Sequence, residues 1–255
     1  MSASLFRLDG KIALVTGASR GIGWSIAEAF AQAGATVVLN GRYPETLEER
    51  AEILRKAGHS AAIAAFDAAD FDAVKAGIAA VEASQGRIDI LVNNAGATKR
   101  QPLADWTLAD WQAILDVNLT SCFLAAQAVA PGMVARGFGR IINTASILST
   151  LGRPNIHGYV ATKTGLVGLT RSLAVELGGK GVTVNAIGPG YIKTAFTVPM
   201  QNDAEFNAGL LKRVPMGRWG EPEEIAGAAV FLAAPAGAYV NGQLLNVDGG
   251  LLASL

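Results

Sequence analysis

Tyr159 and Lys163 stand four residues apart in the string "YVATK". On a helix, both side chains leave the same face. The chemistry open to such a pair is proton transfer. A free phenol, with a pKa of about 10, is a poor base near neutral pH. An ammonium beside it favours the phenolate and brings that pKa down. Ser146, at the end of the apolar run "RIINTAS", adds a hydroxyl able to donate to or accept from a substrate oxygen. Alone, a Tyr-x-x-x-Lys string is most often a helix-surface pair without chemical meaning. Its weight comes from what stands around it.

Near the start lies "TGASRGIG", Thr16 to Gly23. It follows the short apolar run "KIALV". It opens a stretch in which Ile22, Ile26, Ala29, Phe30 and Ala33 recur at helical spacing. A glycine-rich loop between a strand and a helix is the setting of a dinucleotide site. The spacing is G-x-x-x-G-x-G, not the commoner G-x-G-x-x-G. Gly17, Ser19, Arg20, Gly21, Ile22 and Gly23 are the expected contacts, with backbone N–H groups and the helix N-terminus facing a pyrophosphate. After the second strand, "TVVL", an acid would read a ribose 2′-OH and favour NAD. Here Gly41 holds that place and Arg42 follows. Arg20 and Arg42 suit a 2′-phosphate, so NADP is expected in preference to NAD. The alternative is that both arginines are solvated surface residues.

These residues need a frame to hold them. Short apolar runs alternate with helical patterns along the whole chain, which implies an α/β fold with a doubly wound parallel sheet covered on both faces. Asp70 is the expected N-cap of the third helix. A single long helix is expected from Leu108 to Arg136, and others over Tyr159 to Leu177 and Pro222 to Leu232. No linker divides the chain, so residues 1–255 read as one domain. Residues 191–220 form a long connection of the kind that covers a ligand.

Composition narrows the function. Of 255 residues 51% are apolar, and 21 basic side chains balance 21 acidic ones. That argues against a nucleic-acid or anionic-membrane surface and leaves a small-molecule partner. One cysteine, Cys122, and two histidines leave no internal disulfide and no expectation of a metal site. The N-terminal residues lack the apolar run of a signal peptide, and no stretch is expected to reach the roughly 18 apolar residues of a membrane span. A cytoplasmic protein is expected. Cys122 reads as a small core residue, and Trp106 and Trp111 as packing. His157 reads as loop or pocket wall, and Glu223 and Glu224 as first-turn acids answering a helix dipole.

With "TGASRGIG", "NNAG", "DVNL", Ser146, "YVATK", "PG" and "VDGG" in this order, the chain resembles the short-chain dehydrogenase/reductase family over nearly its whole length. The resemblance implies a Rossmann-like sheet of seven strands, a homotetramer, and reversible hydride transfer between a nicotinamide and an alcohol or carbonyl. It implies that Asn118, Ser146, Tyr159 and Lys163 are the catalytic four, with Asn118 aiding a water chain from Lys163. It places Asp67 and Asn93 along the adenosine side and adds Ala95, Gly96, Tyr159 and Lys163 to the cofactor contacts. Ile192 and Thr194, after Pro189 and Gly190, would meet the nicotinamide amide.

Further strings, "VVLNGR", "SILSTLGRPNIHGY", "PGYIKT", "RVPMGRWGEPEE" and "YVNGQLL", resemble the gluconate 5-dehydrogenase branch. On that reading Arg153 pairs with a sugar-acid carboxylate, and Asn155 and Tyr191 bind hydroxyls. Arg153 reads equally as a solvent-facing charge. The competing enzyme is a 3-oxoacyl carrier-protein reductase. It is disfavoured by the neutral net charge and by Val175 at a position often basic there. A non-catalytic NADP-binding regulator is disfavoured because both Tyr159 and Lys163 are present.

Overall fold

The computed structural model describes residues 3–254, so the extreme ends of the expected 1–255 domain lie outside the described residues. Seven strands form among them: β1 Ile12–Val15, β2 Thr36–Gly41, β3 Ala61–Ala65, β4 Ile90–Asn93, β5 Gly139–Thr144, β6 Val182–Pro189 and β7 Leu244–Val247. Nine α-helices accompany them. They are α1 Gly21–Gln32, α2 Pro44–Lys56, α3 Phe71–Gln85, α4 Leu108–Leu115, α5 Ser121–Ala135, α6 His157–Gly178, α7 Val198–Gln201, α8 Ala204–Arg213 and α9 Pro222–Ala233.

All sheet pairings are parallel, in the order β3-β2-β1-β4-β5-β6-β7. Successive strand residues point to opposite faces, and both faces are apolar. Ala13, Val15, Val37, Leu39, Ile90 and Val92 pack with α1, α2 and α9 on one side. Leu14, Val38, Leu91, Ile141 and Val184 pack with α3, α5 and α6 on the other. The sheet is the expected doubly wound one. Its chain order reverses between β1 and β4, and a crevice opens beyond the carboxyl ends of strands at such a point.

Local signals set several helix ends. The Asp70 side chain accepts from Ala73 N–H (3.0 Å) and caps α3, as expected. Gly86, at φ 84°, ends that helix in the left-handed region. Thr107 caps α4 and Asp203 caps α8 in the same way. At α9 the acid that matters is Glu224, which accepts from Glu221 N–H (2.8 Å) in a capping box and also binds Arg218.

The expected single helix from Leu108 to Arg136 is interrupted. Between α4 and α5 the chain makes a π-turn, Asp116–Thr120. No glycine or proline marks it. Its anchor is Asn118, whose amide bonds to Ala97 and Thr162 from outside the helix. Such turns gather at functional sites. The run Leu108–Ala135 is also, contrary to expectation, long and apolar enough by length and composition to cross a membrane. Ala125, Ala126, Val129 and Met133 of that run are packed into the core.

Residues 191–220 contain α7 and α8 and are pinned at their base. Lys193 N–H donates to Gly220 O and Gly220 N–H donates to Tyr191 O, both at 2.9 Å. Leu210, Val214 and Trp219 anchor the segment against Ile147 and Leu251.

Candidate active site

The carboxyl ends of β1 to β6 open on one cleft of about 830 Å³. Gly17 and Ser19 follow β1, Arg42 follows β2, Asp67 follows β3, Asn94 follows β4, Ser146 follows β5 and Gly190 follows β6. The fold thus gathers residues distant in the chain at a single rim.

The glycine loop is bolted to the end of β4. Thr16 Oγ1 accepts from the backbone N–H groups of Asn94 (2.9 Å) and Ala95 (3.0 Å). Asn94 Nδ2 donates back to the carbonyls of Thr16 (3.0 Å) and Gly17 (3.3 Å). Gly17 has φ 64°, and a Cβ there would stand 3.0 Å from Ala95 Cα, so only glycine suits the position. Helix α1 begins at Gly21 without a side-chain cap. Its first-turn N–H groups and positive dipole end are therefore available to an anion in the cleft.

Arg20 and Arg42 both line the cleft, and neither has an ion-pair partner among the described residues. Arg50, not anticipated from the sequence, joins them; its Nε donates to Ser19 O (3.1 Å) and its guanidinium lies over the Trp24 ring. The signal for it was faint. Leu47, Ala51 and Leu54 form the buried stripe of α2, and Arg50 flanks that stripe. Unpaired guanidiniums, a cleft of this volume and an uncapped helix start together fit a phosphorylated dinucleotide. Ile22, Gly23, Asp67, Ala95, Gly96, Pro189, Gly190, Ile192 and Thr194 also line the cleft.

Two expectations fail in detail. Asn93 turns its side chain into the core, where Nδ2 donates to Asn143 Oδ1 (2.9 Å) and Cys122 O (3.3 Å). The side chain lining the cleft belongs to its neighbour Asn94. On an alternating strand end, adjacent residues face opposite ways. Asn155 lies outside the cleft and is exposed. It takes the left-handed backbone (φ 67°) that asparagine tolerates, and its carbonyl accepts from Gln101 N–H (2.9 Å).

Beyond β5, Ser146 Oγ accepts from Leu148 N–H (3.1 Å), which leaves its own proton free to be donated. Ser146 also acts on the Tyr159 phenol, opposing the effect of its burial. Tyr159 and Lys163 face the same cleft from α6. Lys163 is buried, and its Nζ donates to Thr144 O (2.6 Å) and stands 5.6 Å from the centre of the Tyr159 ring. The expected lowering of the phenol's pKa is not produced by these protein groups. Burial pushes Tyr159 up, with the Ser146 hydrogen bond acting the other way, and burial pushes Lys163 down. The ammonium is directed at a carbonyl and not at the phenol, which accounts for the difference.

Asn118 is completely buried and does not line the cleft. Its Oδ1 accepts from Ala97 N–H (2.8 Å), and its Nδ2 donates to Ala97 O (2.9 Å) and Thr162 Oγ1 (3.2 Å). Both amide protons are engaged. Asn118 therefore ties the strand-end loop after β4 to α6, a structural role compatible with its expected place in the catalytic four. His157 starts α6, packs edge-on to Trp106 and lies off the cleft.

At the far end of the cleft, Tyr191 packs edge-on to Trp219 (5.5 Å between ring centres) and tilted to Phe206 (5.9 Å). Arg153 lies over the Phe206 ring (4.8 Å). Its pKa is pushed down by burial, and the nearby Arg100 charge acts in the same direction. Arg100 lines the cleft too and was not anticipated. Its place shortly after the "NNAG" motif was the available signal. Both guanidiniums reach the Met200 sulfur, Arg100 at 3.6 Å and Arg153 at 3.4 Å, and neither has a carboxylate partner among the described residues.

A parallel sheet of this order, a glycine loop bolted to its switch point and a Ser-Tyr-Lys cluster beside it define a nucleotide-dependent oxidoreductase architecture. The family model described as enoyl-(acyl carrier protein) reductase matches residues 17–252, and the chain belongs to this family of short-chain dehydrogenases/reductases. It is 47% identical to a gluconate 5-dehydrogenase from Gluconobacter oxydans, over 98% of both chains. It is 41% identical to a 5-keto-D-gluconate 5-reductase from Escherichia coli, over 98% of this chain and 99% of the relative. Among solved structures, a gluconate 5-dehydrogenase from Burkholderia cenocepacia in complex with NADP and tartrate superposes with a TM-score of 0.96. It shares 46% identity, and 99% of each chain is covered.

Proposed function

We propose that this chain is an NADP-dependent oxidoreductase that interconverts a sugar-acid alcohol and its ketone, gluconate and 5-ketogluconate in type. The observation that carries the substrate class is the Arg100 and Arg153 pair. Two guanidiniums without a carboxylate partner face the same cleft as Ser146 and Tyr159. Like charges held close, Arg153 half-buried and Arg100 exposed, favour an anionic ligand. The names of the relatives, and the NADP and tartrate held by one of them, support the reading.

Gly17, Ser19, Gly21 and Ile22 would hold the pyrophosphate, and Arg20, Arg42 and Arg50 the 2′-phosphate. Asp67 and Asn94 would lie on the adenosine side, and Ile192 and Thr194 at the nicotinamide. The bound nicotinamide supplies the hydride acceptor or donor and, when oxidised, a positive charge. The Ser146 hydroxyl, its oxygen held by Leu148 N–H, orients the substrate oxygen. Tyr159 Oη takes the proton from an alcohol or returns it to a carbonyl. Burial favours the protonated phenol, which suits carbonyl reduction near neutral pH. Lys163 holds a positive charge beneath it, and Asn118 keeps the Ala97 loop and α6 in register.

Residues 191–220 serve as the substrate-side lid. The proposal includes a cytoplasmic homotetramer; exposed Leu108 and Phe123 on the α4–α5 run, with Val175 and Tyr239 elsewhere, offer apolar surface for subunit contacts. Sedimentation would report the assembly. The activity test compares NADPH oxidation with 5-ketogluconate and with an acetoacetyl thioester. Turnover of the thioester alone would sink the sugar-acid reading, and undiminished turnover in Tyr159→Phe would sink the assigned proton donor.

A further inference from the structure

Met200 lies on α7, inside the pinned 191–220 segment, and lines the cleft. Helix α7 is tethered at its start by Thr197. That hydroxyl donates to Ile192 O (2.7 Å) and accepts from Gln201 Nε2 (2.9 Å). Beside it, Phe196 and Val198 are exposed, so one flank of α7 is not packed down. The Met200 thioether bridges Arg100 and Arg153 across the mouth of the cleft.

That arrangement is electrostatically incomplete. A thioether is a weak acceptor, and two guanidiniums share it. Arg153 is partly desolvated; Tyr191 favours its charge, and Arg100 works against it. A carboxylate gives each guanidinium a charge-assisted hydrogen bond that sulfur cannot match. A ligand shifts a conformational equilibrium only by what it binds differently in the two states. Here the difference is a carboxylate in place of a sulfur.

We propose that the Met200 thioether is a stand-in for the substrate's carboxylate. It bridges Arg100 and Arg153 until an acid substrate displaces it and moves α7, whereas a neutral polyol leaves it in place. The inference rests on the sugar-acid reading and adds to it a coupling between carboxylate recognition and the lid.

The experiment uses the protein with NADP and methionine methyl groups labelled with carbon-13. The chain has four methionines, and the Met200 signal is assigned by its loss in Met200→Leu. Tartrate should move that signal; threitol, the same skeleton without carboxylates, should not. In turnover, Met200→Leu removes the competing acceptor and should lower KM for 5-ketogluconate by about three- to tenfold. Met200→Glu places a permanent carboxylate between the guanidiniums and should raise it by more than about thirtyfold. An unmoved signal with tartrate, or KM changes of the same sign in both variants, overturns the proposal. Normal turnover of 5-ketogluconate with an unmoved signal overturns the stand-in alone. A signal moved by tartrate in a protein that turns over no sugar acid supports the stand-in while refuting the sugar-acid reading.

Discussion

Replacing Asn118 by alanine separates two roles for that residue. The substitution removes three hydrogen bonds, of 2.8, 2.9 and 3.2 Å. Thr162 loses least, because its hydroxyl still donates to Tyr159 O (2.9 Å). Ala97 loses partners for both its N–H and its C=O. A net hydrogen bond is worth about 0.5–1.5 kcal/mol, and a buried group left unpaired costs about 1–3 kcal/mol. Water from the cleft replaces part of the loss at Ala97, so about 3 kcal/mol in total is expected. For a chain of this size that corresponds to a fall in Tm of about 6–12 °C. Released from Asn118, the Ala97 loop and α6 shift relative to each other, and kcat should fall on the order of tenfold to a hundredfold. Calorimetry and steady-state kinetics on the same preparation provide both numbers. A variant that loses turnover while melting within about 1 °C of the parent would falsify the positioning role, since a deficit so small leaves no room for three lost bonds.

Arg42→Ala should raise KM for NADP by about tenfold to a hundredfold, the worth of a charge-assisted bond, and leave KM for NAD unchanged; equal losses with both would refute phosphate recognition. Glu224 is held at about 2 by its hydrogen bond from Arg218 and the Glu221 N–H. Its folded pKa is depressed, so its contribution is complete above the ordinary carboxylate range and disappears as pH falls through about 2. The Tm difference between the parent and Glu224→Gln should therefore begin to shrink as pH falls below the ordinary carboxylate range and close near pH 2; full closure already around pH 4 to 5 contradicts the clasp. In Gly23→Ala the new Cβ would collide with Gly17 O and Asn94 Nδ2, costing about 1–3 kcal/mol with weaker NADP binding. Gly227→Ala, on α9 with open space around it, should instead stabilise by about 1 kcal/mol. Thermal melts of the two should move in opposite directions.

The sheet was legible in the sequence because its strands are short apolar runs, those inside the sheet buried on both faces, and such runs look alike wherever the chain takes them. The glycine loop, Ser146, Tyr159 and Lys163 were legible because their spacing along the chain is also their spacing on one element. What escaped depends on contacts between distant segments. The π-turn at Asp116–Thr120 follows from an amide bonding to Ala97 and Thr162, which no local pattern announces. Arg50 and Arg100 reach the cleft from α2 and from the loop after β4, and a single arginine on a polar stretch looks like any solvated one. Asn93 and Asn94 differ only in which way a strand end faces, and that is set by the register of β4 between β1 and β5. The direction of Lys163 toward Thr144 O and the burial that pushes the phenol up both depend on how α6 packs against the end of β5.

The two hydrogen bonds that knot Tyr191 and Lys193 to Gly220 bring the two ends of the 191–220 segment together. With entry and exit points held together, a change in length at an exposed position between them adds loop closure of about 0.6 kcal/mol for each doubling. Diversification can then proceed at the exposed positions of one contiguous stretch while Ile192, Leu210, Val214 and Trp219 keep their packing. A chimera that takes a relative's residues between Tyr191 and Gly220 but keeps Ile192, Thr194, Leu210, Val214 and Trp219 should hold its melting temperature and acquire the donor's substrate preference.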